Sequence, residues 1–206
     1  NTMNSKPLFV PISMGFSLLG VKQLVEYYLK KGYFYFWIDF EGKSINLNNS
    51  ARLTHLRRIL NEKEGFNDCI LYYTNIKREV SSNIKSDTSA SSDILASVGG
   101  ANIIGINREP QRFNPNQPVE AKPSSKELWA HKSRYFDGET YYYHKFKEGE
   151  EVEPQAINIT KNARRLQEEL NNQSKVFLDQ LSIKGYISKK QITKEYPLIF
   201  KRFFGS

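Results

Sequence analysis

Between Pro7 and Pro110 short β-rich apolar runs alternate with segments of helical periodicity, and this alternation restricts the fold more tightly than any other feature of the chain. The runs are Leu8 to Ile12, Tyr33 to Phe40, Cys69 to Tyr73 and Asn102 to Ile106. Such spacing is that of successive βα units, in which parallel strands are joined by crossover helices. The expected class is therefore α/β: four parallel strands with crossover helices, as a half βα-barrel or an open sheet, followed by a β-hairpin and carboxyl-terminal helices. Residues 7–110 form the expected parallel domain, 111–130 a linker rich in Pro, Asn and Gln, and 131–206 the hairpin with a basic helical extension.

The first helix is read from Leu18, Leu19, Val21, Leu24, Val25, Tyr28 and Leu29, with Lys31-Gly32 as its stop. Tyr33 to Phe40 reads as a central strand, because eight nearly continuous apolar positions imply burial on both faces. Leu53, Leu56, Ile59 and Leu60 mark a second helix carrying Arg52, Arg57 and Arg58. The Ser- and Asn-rich stretch from Ser81 to Ser92 reads as a mobile loop, with Ser91 or Ser92 capping a short helix through Val98. Arg134 to Phe146 has the form of a hairpin with a tight Asp137-Gly138 turn. Its alternation sends Tyr141 and Tyr143 into the core and Tyr142 outward. From Asn158 to Leu181 a helix is expected, with Ile159, Ala163, Leu166, Leu170, Val176, Phe177 and Leu181 as its apolar stripe.

The chain has 206 residues, 39% of them apolar, and a formal net charge of +8. That charge points to an anionic partner, RNA or DNA. Lys161 to Ser206 holds ten basic and four acidic residues, which places the basicity at the carboxyl end. The single cysteine, Cys69, offers neither a disulfide nor a thiolate metal cage, and a reducing cytoplasm is the expected compartment. No segment approaches the roughly twenty apolar residues of a membrane span, and no signal-type apolar core opens the chain.

Parallel sheets gather functional groups at the carboxyl ends of their strands. This directs attention to Ser13, Asp39, Glu41, Asn75, Lys77, Asn107 and Arg108. On a continuing strand Asp39, Glu41 and Lys43 would share one face, where two carboxylates and an ammonium can hold Mg²⁺ and polarise a phosphate. A strand entering solvent also becomes polar for no chemical reason. Asn75, Lys77, Arg78, Asn107 and Arg108 would make an anion-facing rim, Arg108 offering bidentate geometry. Lys189, Lys190, Lys194, Lys201 and Arg202 would make a phosphate-binding stripe, or merely solvate a helix. Tyr135, Phe136, Tyr141, Tyr142, Tyr143 and Phe146 interleave with Lys132, Arg134, Lys145 and Lys147, a pattern that fits base stacking but fits core packing better. His55, His131 and His144 lack metal-ligand spacing, and no Walker loop, G-x-S-x-G or G-x-G-x-x-G is present.

The segment Asp93-Ile94-Leu95-Ala96-Ser97-Val98-Gly99-Gly100-Ala101-Asn102-Ile103-Ile104-Gly105-Ile106-Asn107 looks like the late βα units of an eight-stranded barrel. Over Ser92 to Leu170 the chain resembles the carboxyl-terminal half of tRNA-guanine transglycosylase-like proteins. It departs from them in having no Asp-Ser-Gly-Gly-Phe segment and no Cys-rich zinc site, and Asn102 and Gly105 stand where late-strand carboxylates would be wanted. The resemblance implies a barrel-derived, nucleic-acid-associated module without the full catalytic set.

Three functional readings result. The leading one is a basic protein that binds nucleic acid or a nucleotide. A second is a Mg²⁺-dependent phosphodiesterase or nuclease using Asp39 and Glu41 with Lys43, the only reading that calls for a cofactor. A third is an assembly module, in which the open sheet edges are covered either by the chain's own hairpin and long helix or by a second copy in a homodimer.

Overall fold

The computed structural model describes residues 7–63, 68–80, 87–106, 133–147 and 154–205. In chain order the elements are β1 (Val10–Ser13), α1 (Leu18–Lys30), β2 (Tyr35–Asp39), α2 (Leu47–Lys63), β3 (Ile70–Ile76), β4 (Thr88–Ala90), α3 (Asp93–Val98), β5 (Ile103–Ile106), β6 (Arg134–Asp137) and β7 (Tyr142–Lys145). The helices α4 (Gln155–Gln180), α5 (Lys184–Ile187), α6 (Gln191–Glu195) and α7 (Pro197–Phe204) complete the chain. No helix among the described residues is long and apolar enough to cross a membrane. Two compact units result, and they interleave along the sequence. Residues 1–78, 95–108 and 198–206 form the first, and residues 79–94 and 109–197 the second.

The first unit is the parallel one. Its strands lie in the order β1-β2-β3-β5, all parallel, with α1 between β1 and β2 and α2 between β2 and β3. Consecutive strands are neighbours and the order never reverses, as in half of a βα-barrel. A doubly wound sheet would reverse and open a switch-point crevice, which this strand order does not. Crossovers of one hand that advance in one direction place their helices on one face. Burial agrees: Val10, Ile12, Phe36, Ile38, Leu71 and Tyr73 are buried on one side of the sheet, under helices that turn Val21, Val25, Leu29, Leu53 and Leu56 inward. Ser17 caps α1 by accepting from the Gly20 amide at 3.1 Å. The helix ends at Lys31, and Gly32 follows with φ of 78°, as its sequence requires.

The opposite face corrects the reading of β2. That strand is indeed central, but its burial alternates, and Trp37 is 39% exposed. Apolar residues occupy both faces while helices cover only one.

In the second unit an antiparallel sheet of order β4-β7-β6 packs against α4. Residues 88–90, expected within a loop, form strand β4 because they pair with β7, a partner remote in sequence. The hairpin turn also differs. Asp137 pairs with Tyr142, so four residues lie between the strands rather than a two-residue Asp-Gly turn. The Asp137 carboxylate accepts from the Glu139 amide at 3.0 Å and from the Thr140 hydroxyl at 2.6 Å, and Tyr141 closes the loop with φ of 64°. Tyr141 and Tyr143 are buried as expected, yet so is Tyr142, whose hydroxyl donates to Glu195.

Helix α4 buries a polar face in place of the expected apolar stripe. Asn158, Asn162, Leu166, Glu169 and Gln173 are buried, whereas Ile159, Phe177 and Leu181 are exposed. The physical reason lies at β6, whose outer edge pairs with no strand among the described residues. Asn162 supplies the missing partners: its Oδ1 accepts from the Phe136 amide and its Nδ2 donates to the Arg134 carbonyl, both at 2.8 Å. A carboxamide presents one donor and one acceptor, as a strand residue would.

Candidate functional site at the carboxyl rim of the parallel sheet

The residues named at the ends of β1, β2 and β3 come together. Strand β2 stops at Asp39, and Phe40 to Gly42 turns, so the alternation that would have aligned Asp39, Glu41 and Lys43 does not continue. Glu41 takes φ of 53° and Gly42 of 72°, which swings the Glu41 side chain toward β1. There its Oε1 accepts from the Ser13 hydroxyl, while Oε2 accepts from Lys43 Nζ at 2.7 Å. Ser13 Oγ in turn accepts from the Gly15 amide at 2.8 Å. A side chain at Gly15 would require the Glu41 carboxylate to move, since a Cβ would meet Glu41 Oε1 at 2.7 Å. Lys43, then Ser13, lowers the Glu41 pKa by stabilising the carboxylate.

Asp39 serves a neighbouring arrangement. Its Oδ1 accepts from the Glu41 amide and from Asn75 Nδ2, both at 2.9 Å. Asn75 also lies in the left-handed region, with φ of 53°, and its carbonyl accepts from the Gly42 amide at 2.9 Å. Glu41, just past β2, and Asn75, near the end of β3, thus both hold left-handed backbone without being glycine. The Lys77 amide donates to the Lys43 carbonyl at 3.1 Å, which ties the loops after β2 and β3 together. Arg52, not singled out from sequence, lies close enough to help lower the Glu41 pKa. Arg202 Nη1 donates to the Leu47 carbonyl at 3.0 Å, beside the start of α2.

The cations expected in a carboxyl-terminal stripe are divided between the two units. Lys201 and Arg202 belong to the first unit, Lys189, Lys190 and Lys194 to the second. Lys189 and Lys194 are exposed, but Lys190 is 4% exposed and cannot meet a phosphate. Its Nζ donates to the Gly138 carbonyl at 2.7 Å and the Tyr186 hydroxyl at 3.1 Å, and stands 3.5 Å from Glu169. The hairpin aromatics likewise serve the core. Phe136, Tyr141, Tyr142 and Tyr143 are buried, Arg134 pairs with Glu79 at 3.7 Å, and Lys145 with Asp87 at 3.5 Å. Asn107 and Arg108 lie outside the described residues, as do the linker 111–130, His131 and Lys132.

Dividing the charge by unit relocates it. The first unit carries fourteen Lys and Arg against six Asp and Glu, the second sixteen of each, so the whole of the +8 belongs to the parallel-sheet unit. Counting along the sequence had placed it at the carboxyl end, because the acidic residues that balance the second unit lie elsewhere in the chain.

Among the described residues no group of three or more His, Cys, Asp or Glu gathers as metal ligands do. The second unit has a separate cleft of about 370 Å³, lined by Tyr135, Asp137, Glu139, Arg165, Glu168 and Asn172 among others. Arg165 lies over the Tyr135 ring at 5.3 Å, so the one cation named there already has an aromatic partner.

Compared with known proteins, the chain finds no match among family models, curated proteins or solved structures.

Proposed function

We propose that the parallel-sheet unit binds nucleic acid or a nucleotide through phosphates, at the carboxyl rim that carries Lys43, Asn75, Lys77 and Arg78. The observation that carries this reading is the distribution of charge: one unit holds all of the +8 and the other is neutral. A polyanion releases counterions when basic side chains neutralise it, so a positive field concentrated on one unit favours phosphate-rich partners. The rim supplies what phosphate oxygens need at close range, namely amide and ammonium donors held by backbone turns. The sequential strand order is in keeping with a barrel-derived module that lacks a full catalytic set.

Binding of labelled single- and double-stranded oligonucleotides, followed by fluorescence anisotropy across a NaCl titration, tests the reading. Each phosphate contact contributes about −0.7 to the slope of log K against log salt for a single strand. Lys77→Ala and Arg78→Ala should each make the slope less negative by about that amount. Salt-independent binding, or no binding at low salt, refutes the proposal. Mg²⁺-dependent cleavage that disappears in Asp39→Asn would instead assign a phosphodiesterase to the same rim.

A further inference from the structure

Resting on that phosphate-binding reading, we infer that the helix-free face of the parallel sheet is a stacking surface for the bases of a single-stranded nucleic acid. Strand register places Pro11, Trp37, Tyr72 and Ile103 in one row across the four strands. The row before it holds Tyr35 and Ile70, with Phe9 beside Tyr35 at 5.7 Å between ring centroids and also against Tyr72 at 6.0 Å. Next toward the rim come Ser13, Asp39 and Thr74. Alternate residues on a strand are about 6.6 Å apart, so the face passes from aromatic rings to the polar side chains of the rim within one such step.

Trp37 is 39% exposed and Ile103 47%, and the rings of Tyr35, Tyr72 and Phe9 are half-buried. Trp37 is also held in place, its Nε1 donating to the Thr74 hydroxyl. A fixed indole loses little conformational freedom when a partner lands on it. Gly105 lets the Tyr72 side chain lie across β5, since a Cβ there would meet the Tyr72 hydroxyl at 3.0 Å.

Charge selects the occupant. A second copy laid face to face would bring two units of +8 together, whereas a nucleic acid strand brings phosphates to them. Planar rings suit bases, and an unpaired strand exposes base faces that a duplex hides. Phosphates would lie toward Lys43 and Lys77 while bases cover Trp37 and Tyr72.

The test uses the full chain carrying Trp129→Phe, which leaves Trp37 as the sole indole. Oligo(dT) should quench Trp37 fluorescence and bind about tenfold tighter than an abasic oligomer with the same number of phosphates. Trp37→Leu, which keeps apolar bulk on the sheet, should erase most of that preference with an unchanged circular dichroism spectrum. Equal, salt-sensitive affinity for both oligomers without quenching would overturn the stacking inference while leaving phosphate binding intact. Failure of both oligomers to bind at low salt would overturn both. A dimeric mass at equilibrium, with Trp37 shielded from acrylamide and unresponsive to oligo(dT), would show that a second copy occupies the face.

Discussion

Lys190→Met isolates the cost of removing a buried cation while leaving its packing almost unchanged. Methionine keeps the length of the stem but loses the donors to Gly138 and Tyr186 and the charge 3.5 Å from Glu169. The Lys190 and Glu169 side chains are 5% and 6% exposed, so water cannot replace what is lost. Nζ also lies 4.4 Å from the Tyr186 ring centroid and 5.1 Å from that of Tyr141. Breaking one partner of a buried pair costs about 3–5 kcal/mol, mainly because the other charge stays buried without compensation. Urea unfolding followed by far-ultraviolet circular dichroism should show that loss with an unchanged m value. The double variant with Glu169→Gln should recover a large part of it, since a neutral carboxamide can still accept from Tyr141 and needs no cation. Oligonucleotide affinity should be unchanged. A loss under about 1 kcal/mol, the range of an exposed pair, would refute the reasoning, and a weakened salt slope would return Lys190 to the phosphate-binding surface.

Burial, together with hydrogen bonds to carboxylates, raises the pKa of Tyr141, Tyr142 and Tyr186 well above the ordinary value near 10. Their protonated form is favoured in the folded chain, so stability should hold below pH 10 and fall as pH rises above it; a pH series of urea midpoints, with part of the tyrosinate absorption delayed until unfolding, checks this. Lys43→Ala should raise the Glu41 pKa toward its ordinary value, because the ammonium is the chief group lowering it; an NMR titration of the Glu41 carboxyl carbon reads the shift. The stabilisation tied to that lowered pKa is present above the unfolded value and fades as pH falls through the folded one, so wild type and variant should converge in acid. Asn75→Ala removes the bond to Asp39 and forces alanine to φ of 53°, for a cost of about 2 kcal/mol by denaturation, of which Asn75→Gly should recover the backbone part.

The parallel strands were readable because Leu8 to Ile12, Tyr33 to Phe40, Cys69 to Tyr73 and Asn102 to Ile106 are apolar runs set off by helices of clear period. The exposure of Trp37 was not readable. A strand covered on one side only still looks fully buried when its other side carries Tyr35 and Trp37. Helix α4 misled in the opposite direction, since Asn158, Asn162 and Gln173 read as solvent-facing until the outer edge of β6 gives Asn162 a reason to turn inward. Ser13, Asp39, Glu41, Lys43 and Asn75 were legible as a rim because strand ends are where such groups collect. Their connections depend on the left-handed turns at Glu41 and Asn75, which residue types alone do not announce.

Interleaving of the two units sets an order of events during synthesis. Residues 198–206 belong to the parallel-sheet unit, yet every residue of the other unit leaves the ribosome before them. Arg202 then contacts the Leu47 carbonyl, and its own carbonyl accepts from the Thr54 hydroxyl, while Phe200 and Phe203 are buried. The sheet unit therefore waits, with part of its core uncovered, for the length of an entire intervening unit. A nascent chain held at residue 197 should be more open to protease within α2 than the released protein, and cutting the gene at any single point divides the parallel-sheet unit.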